Sequence, residues 1–102
     1  MITVLITFSV PENTTLEKIK EKFCETAPMY QDVPGLIRKN YLFSDNPMMA
    51  GGAYTFSDRE KAEAWFHEDR LAWIENRYSK PEIMYFETPV VVNNEQSKIE
   101  IP

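Results

Sequence analysis

From Ile2 to Val10 apolar residues occupy every second position. Ile2, Val4, Ile6, Phe8 and Val10 share one phase, and Thr3, Leu5, Thr7 and Ser9 share the other. A period of two is the signature of a strand with one strongly apolar face. Pro11-Glu12-Asn13 interrupts it, and the period then changes. Leu16, Ile19, Phe23 and Ala27 recur at helical spacing with Glu and Lys between them. The spacing Thr14-x-x-Glu17 is that of a capping box, so the helix is predicted to start at Thr14 or Thr15. Pro28 limits that helix, and Pro34-Gly35 marks a turn. Leu36 to Asp45 is rich in β-formers, and a second such run extends to about Phe56 after the turn at Asn46-Pro47. The short connection predicts a hairpin. A second helix is expected from Ser57, with Ser57-x-x-Glu60 as its capping box and Ala62, Trp65 and Phe66 as its apolar stripe. Beyond residue 68 the phase slips to Leu71, Trp73, Ile74 and Tyr78, which predicts a kink or break between Glu68 and Arg70. Glu82 to Thr88 reads as a final strand. Pro89 cannot donate to a ladder, so the following Val90 to Val92 belongs at a sheet edge or in a bend. Residues 93–102 read as a polar tail, with Lys98 to Ile101 able to pair with something, a partner chain included.

The order β-α-β-β-α-β is that of the ferredoxin-like α+β fold, here one domain over residues 1–92. Its first and third strands are central, so two of the chain's three glycines, Gly51 and Gly52, fall in the middle of the sheet. Glycine weakens a strand. Either something comes close to that backbone, or something fits above it. The hairpin strand is apolar on both sides, with Ile37, Tyr41 and Phe43 on one face and Leu36 and Leu42 beside Arg38 and Asn40 on the other. Helices cover only one face of this fold. The sheet of a second copy is the economical cover for the other, giving a symmetric dimer. The alternative is a monomer with a half-solvated sheet.

With 102 residues, 43% of them hydrophobic, the chain suits one folded domain. A net charge of −5 with scattered basic residues argues against nucleic acid and anionic membrane surfaces as partners. No apolar run approaches a membrane span. The N-terminus lacks the charged leader and cleavage site of a signal peptide, and a single cysteine, Cys24, suits a reducing cytoplasm. Cys24 lies in the C-terminal half of a helix beside Glu25, without the basic neighbours that activate a thiol, and is expected to be structural. No metal-ligand spacing and no Gly-rich phosphate loop occurs, so no metal or cofactor is expected.

The stretch from Val33 to Phe66 resembles the YdhR-type mono-oxygenases of the dimeric α+β barrel superfamily, which also holds cofactor-free quinol oxygenases and haem-degrading enzymes. The likeness covers most of the chain: the opening strand, Pro34-Gly35-Leu36, the Ala50 to Phe56 strand, Glu63 to Phe66, Arg77-Tyr78 and the Tyr85 to Val92 ending. It implies a homodimer and a mono-oxygenase acting on a small phenol- or hydroquinone-like aromatic without metal or flavin. Such a substrate, once deprotonated, can itself give an electron to O₂. The protein must then supply an apolar cavity, a group for the phenolic proton and donors for the anion. On this reading Asn40, Arg38, Tyr54 and Trp65 are the catalytic candidates, and Gly51, Gly52, Phe66, Tyr85 and Arg77 line or close the pocket. Asn40 and Arg38 share a strand face and could hold a phenolate oxygen; alternatively they face solvent or the partner. His67 lies about 200° around a helix from Trp65 and so points outward when Trp65 points in, which disfavours a haem degrader. The quinol oxygenases carry an asparagine four residues before the helix tryptophan, where this chain has Lys61. Two further readings stay open: a module that binds an apolar ligand unchanged, and a structural dimer in which Trp65 simply fills the space above the glycines.

Overall fold

The alternation at the N-terminus becomes strand β1, Ile2–Ser9, whose even-numbered residues are buried, with Thr3, Leu5 and Thr7 half-exposed and Ser9 exposed. The computed structural model describes residues 1–102. After β1 come helix α1 (Leu16–Thr26), a 3-10 turn (Ala27–Tyr30) and the hairpin of β2 (Leu36–Asp45) and β3 (Met48–Phe56). Helices α2 (Arg59–Trp65) and α3 (Glu68–Arg77), strand β4 (Glu82–Glu87) and a small ribbon of β5 (Val91–Asn93) and β6 (Lys98–Glu100) complete it. The main sheet is antiparallel in the order β2-β3-β1-β4, which is the ferredoxin-like arrangement with the first and third strands central. The helices cover one face. Fourteen buried residues form a single core there, led by Val4, Ile6 and Phe56 from the sheet and Ile19, Ala62 and Ile74 from the helices. No helix is long and apolar enough to cross a membrane.

The caps sit one residue later than the spacing predicts. Lys18 N–H donates to Thr15 Oγ1 at 3.2 Å, so Thr15 caps α1, while Thr14 N–H closes a turn onto the Pro11 carbonyl. Lys61 N–H donates to Asp58 Oδ1 at 2.9 Å, so Asp58 and not Ser57 caps α2. A carboxylate at that place also meets the positive end of the helix. The expected break lies at Phe66-His67, just before the predicted span. His67 is the cap of α3, its Nδ1 accepting from Arg70 N–H at 3.2 Å. The ring is exposed, as the helical phase predicted.

Two further expectations change. A register shift between Leu36 and Arg38 makes Ile37 the extra residue of a bulge. Leu36 therefore packs against the core while Ile37 is 59% exposed on the open face, the reverse of simple alternation. Residues 93–102 are not a plain tail, because Lys98–Glu100 pairs with the chain's own Val91–Asn93. A domain boundary at residue 92 would cut that ribbon in two. Gly35, with φ +80°, sits where β2 begins, and its carbonyl accepts Ser57 N–H at 2.8 Å, tying that turn to the start of α2.

Candidate functional site

A cavity of about 20 Å³, room for roughly one water, lies between the helix-covered face of the sheet and the helices. Ile6, Phe8, Lys39, Tyr41, Gly51 and Tyr54 form its floor, with Phe23 and Thr26 from α1, Tyr30 from the 3-10 turn, and Trp73, Ile74 and Tyr78 above. Its position follows from the registers. Lys39 stands opposite Tyr54, Tyr41 opposite Gly52, and Ile6 opposite Gly52 on the other side. The two glycines do different work. A Cβ on Gly51 would run into the Ile6 carbonyl oxygen, so Gly51 is set by the close approach of β1. A Cβ on Gly52 would meet the Tyr54 ring at 3.0 Å and Lys39 Cε at 3.2 Å. The space above Gly52 is thus filled by Tyr54 and the lysine stem, not by Trp65 and not by an open slot.

Lys39 is the residue that strand periodicity alone did not single out. Its Nζ lies 3.4 Å from the ring centre of Tyr30, 3.7 Å from that of Tyr41 and 4.8 Å from that of Tyr54. No carboxylate is within ion-pair distance of it. Burial disfavours its ammonium form and brings its pKa down to about 6, while the ring faces attract whatever positive charge it carries. The surrounding phenols move the other way. Burial pushes Tyr41 up to about 12, only partly opposed by its 2.8 Å hydrogen bond with Thr26. Tyr54 is driven above the ordinary phenol range by burial and then by Tyr30 beside it. Tyr30 is raised chiefly by burial. Lys39, Tyr30 and Tyr41 also wall an open depression of about 370 Å³ on the outside, between the 3-10 turn and β2. These three side chains line both the inner cavity and that depression. The signal for Lys39 in the sequence was only its place in the phase of Tyr41 and Phe43; that it stands opposite Tyr54 follows from the strand register.

The other candidates are dispersed. Arg38 and Asn40 share a face, but it is the open one: they stand opposite Thr55 and Ala53 and are exposed, because strand alternation turns them away from Lys39. They do not reach the cavity. Tyr54 is in it. Trp65 lies one layer behind, edge-on to Tyr30 at 5.8 Å with the Arg70 guanidinium 3.9 Å over its ring, and its buried Nε1–H has no acceptor. Phe66 is core, edge-on to Tyr54 at 4.9 Å. Tyr85 lies on β4 beneath Arg59, away from the cavity, since β4 is the far edge of the sheet. Arg77 pairs with Glu25 at 2.8 Å and donates to the Lys22 carbonyl at 3.2 Å, latching α3 to α1. Next to it Tyr78 stacks on Phe8 at 4.4 Å and roofs the cavity. Cys24 is exposed, and no group of three His, Cys, Asp or Glu side chains converges anywhere.

Residues 4–99 match the protein family described as "Putative mono-oxygenase ydhR". No curated protein matches the chain by sequence. Among solved structures, a mutant of MhuD with two manganese protoporphyrin IX molecules bound per active site superposes with a TM-score of 0.70 at 14% identity, over 91% of this chain and 99% of that one. A mutant of SnoaB, a cofactor-independent oxygenase from Streptomyces nogalater, superposes with a TM-score of 0.61 at 20% identity, over 85% and 91%. At these identities the likeness establishes the shared fold.

Proposed function

The chain belongs to the ydhR mono-oxygenase family, and from that membership and the aromatic-walled cavity we propose that it oxygenates a small hydroquinone-like aromatic without a bound cofactor. The observation that carries this is the cavity itself, bounded by Tyr30, Tyr41, Tyr54, Trp73 and Tyr78 between the sheet and the helices. Aromatic walls suit a flat ring, and the hydroxyls of Tyr30, Tyr41 and Tyr54, whose burial favours the protonated form, are donors for a developing phenolate. The electron count closes for a hydroquinone and for a phenol alike, since a phenol and O₂ give a quinone and water. A hydroquinone and O₂ give a hydroxyquinone and water: one oxygen atom enters the ring, the other leaves as water, and the substrate supplies all four electrons. At about 20 Å³ the cavity admits no ring as it stands. In this reading a ring enters from the depression that Lys39 also lines, and an outward swing of Lys39 joins the two spaces. A haem is a poor match for these residues, because the one histidine is outside and occupied in capping α3.

The open face of the sheet carries Arg38, Asn40, Leu42, Met84 and Phe86, and in this reading a second copy of the chain covers it. Arg38 and Asn40 then serve the interface and not the reaction.

Oxygen uptake by metal-stripped protein across a panel of hydroquinones and phenols tests the activity. Uptake with hydroquinones, one atom of labelled O₂ appearing in the product, is the expected result. Tyr54→Phe should lower the rate by about tenfold or more, in line with the loss of one anion-stabilising donor. Tight binding of several panel members with no uptake by any of them would replace the oxygenase with a ligand-binding module.

A further inference from the structure

An oxygenase that uses its substrate's own electrons must first remove a proton from it, and the cavity offers few takers. Its lining holds hydroxyls and one amine, with no carboxylate, imidazole or thiol. The carboxylates of Glu25 and Glu63 are engaged outside it, with Arg77 and Arg59. His67 caps α3 from the surface. Resting on the oxygenase reading, we propose that Lys39 Nζ is the proton acceptor of the chamber, so that a phenol entering past it is held there as its phenolate.

The geometry provides for both charge states of Lys39. The groups facing it are Tyr30 from the 3-10 turn, Tyr54 from β3 and Tyr41 from its own strand, with Arg70 from α3 close enough to act on Tyr30 and Tyr54. None of these is an anion that would hold the amine protonated, and burial keeps it neutral near pH 7. In the step itself the phenol O–H bond breaks and an N–H bond forms at Nζ, while the electron pair stays on oxygen. The new ammonium lies over the tyrosine rings, whose faces attract a cation. Its partner is the phenolate it has just made. Two neutral groups thus become an ion pair in place, and neither charge is left buried alone. Lys39 stands at the wall between cavity and depression, where an incoming hydroxyl arrives first.

The test uses a nitrophenol, whose anion alone is coloured, so it reads the proton transfer without turnover. The nitrophenol is chosen with a pKa of about 8, so that one pH unit below it Lys39 is still mostly neutral and roughly a tenth of the free compound is ionised. On the wild-type protein the bound compound should be mostly in the anion form, and on Lys39→Met it should be bound but no more ionised than in buffer, binding being followed by tryptophan fluorescence. No binding, binding without the anion band, or an undiminished band on Lys39→Met overturns the proposal. Because replacing a buried amine could alter the fold, NMR titration of the Lys39 side chain in the wild type is the second measurement. A protonated amine at pH 8 overturns the proposal as well. An anion band without oxygen uptake leaves Lys39 as acceptor and removes the oxygenase, whereas uptake equal in wild type and Lys39→Met does the reverse.

Discussion

At the scale of single residues, Gly51 and Gly52 are adjacent yet face opposite constraints. The obstacle at Gly51 is backbone, the Ile6 carbonyl, which cannot yield without breaking the β1–β3 ladder. The obstacles at Gly52 are the Tyr54 ring and the end of a lysine stem, which can shift. Gly51→Ala should therefore cost about 3 kcal/mol or more in denaturant unfolding, and Gly52→Ala about 1–2 kcal/mol. Equal costs would mean the two sheet faces are equally tight. Lys39 has its own signature in stability. Its folded pKa, about 6, lies below the ordinary 10.5, so between those values the unfolded chain binds a proton that the folded chain does not. The penalty is complete below about pH 6 and is relieved as pH rises toward 10.5, so wild-type stability climbs across that window by up to about 1.4 kcal/mol per pH unit. Lys39→Met should be more stable than wild type at pH 6, with the gap closing by pH 10. Parallel curves for the two proteins would show an amine that titrates normally. These residues also show how far the sequence could be read. The glycine pair flagged the centre of the sheet, but whether the space above it is open or filled depends on which neighbour lies down over it. That choice is made by Tyr54 and Lys39 through cross-strand register, and the bulge at Ile37 alters that register without a local signal.

At the scale of elements, period and punctuation carried the reading well. The four sheet strands, α1 and the interruption after Trp65 were all legible, because alternation, helical spacing and phase slip are direct consequences of one buried face. The caps were each read one residue early, since Thr14-Thr15 and Ser57-Asp58 offer two capping side chains in a row and spacing cannot choose between them. The choice is made by backbone: the residue that is extended immediately before the first helical turn is the cap, and here those are Thr15 and Asp58. Asp58→Ala should accordingly destabilise the fold more than Ser57→Ala, whose hydroxyl only donates to Asp58 at 3.3 Å. Paired urea melts decide this, and the opposite ranking would return the cap to Ser57. Of the β5–β6 ribbon only a stretch able to pair was legible, for its three-residue strands carry too little pattern to name their partner as each other.

At the scale of the whole molecule, the sheet has one finished face and one unfinished one. On the open face Met84 and Phe86 are 49% and 47% exposed, and Leu42 and Ile37 lie farther along it. The ribbon adds Val92 and Ile99, also exposed, and does not join the main sheet. An isolated two-stranded ribbon is marginal in water, so it too gains from a surface to rest on. Between sheet and ribbon lies a groove of about 530 Å³ lined by Thr3, Arg38, Thr55 and Val90 to Asn93. The proposed dimer would answer all three features, with a second chain laid sheet to sheet and each ribbon seated over the other's groove. Such a two-fold arrangement would also account for Arg38 and Asn40 on an apolar face, since rim polar groups across an interface fix register without being buried alone. The double substitution Met84→Glu, Phe86→Glu places like charges on both sides of that contact and should convert a dimer to a monomer in sedimentation. Because both side chains are half-exposed in the protomer, its fold should survive with a change of about 1 kcal/mol or less. A variant that remains dimeric would locate the contact on some other surface, and a wild-type chain that sediments as a monomer would leave the open face to solvent.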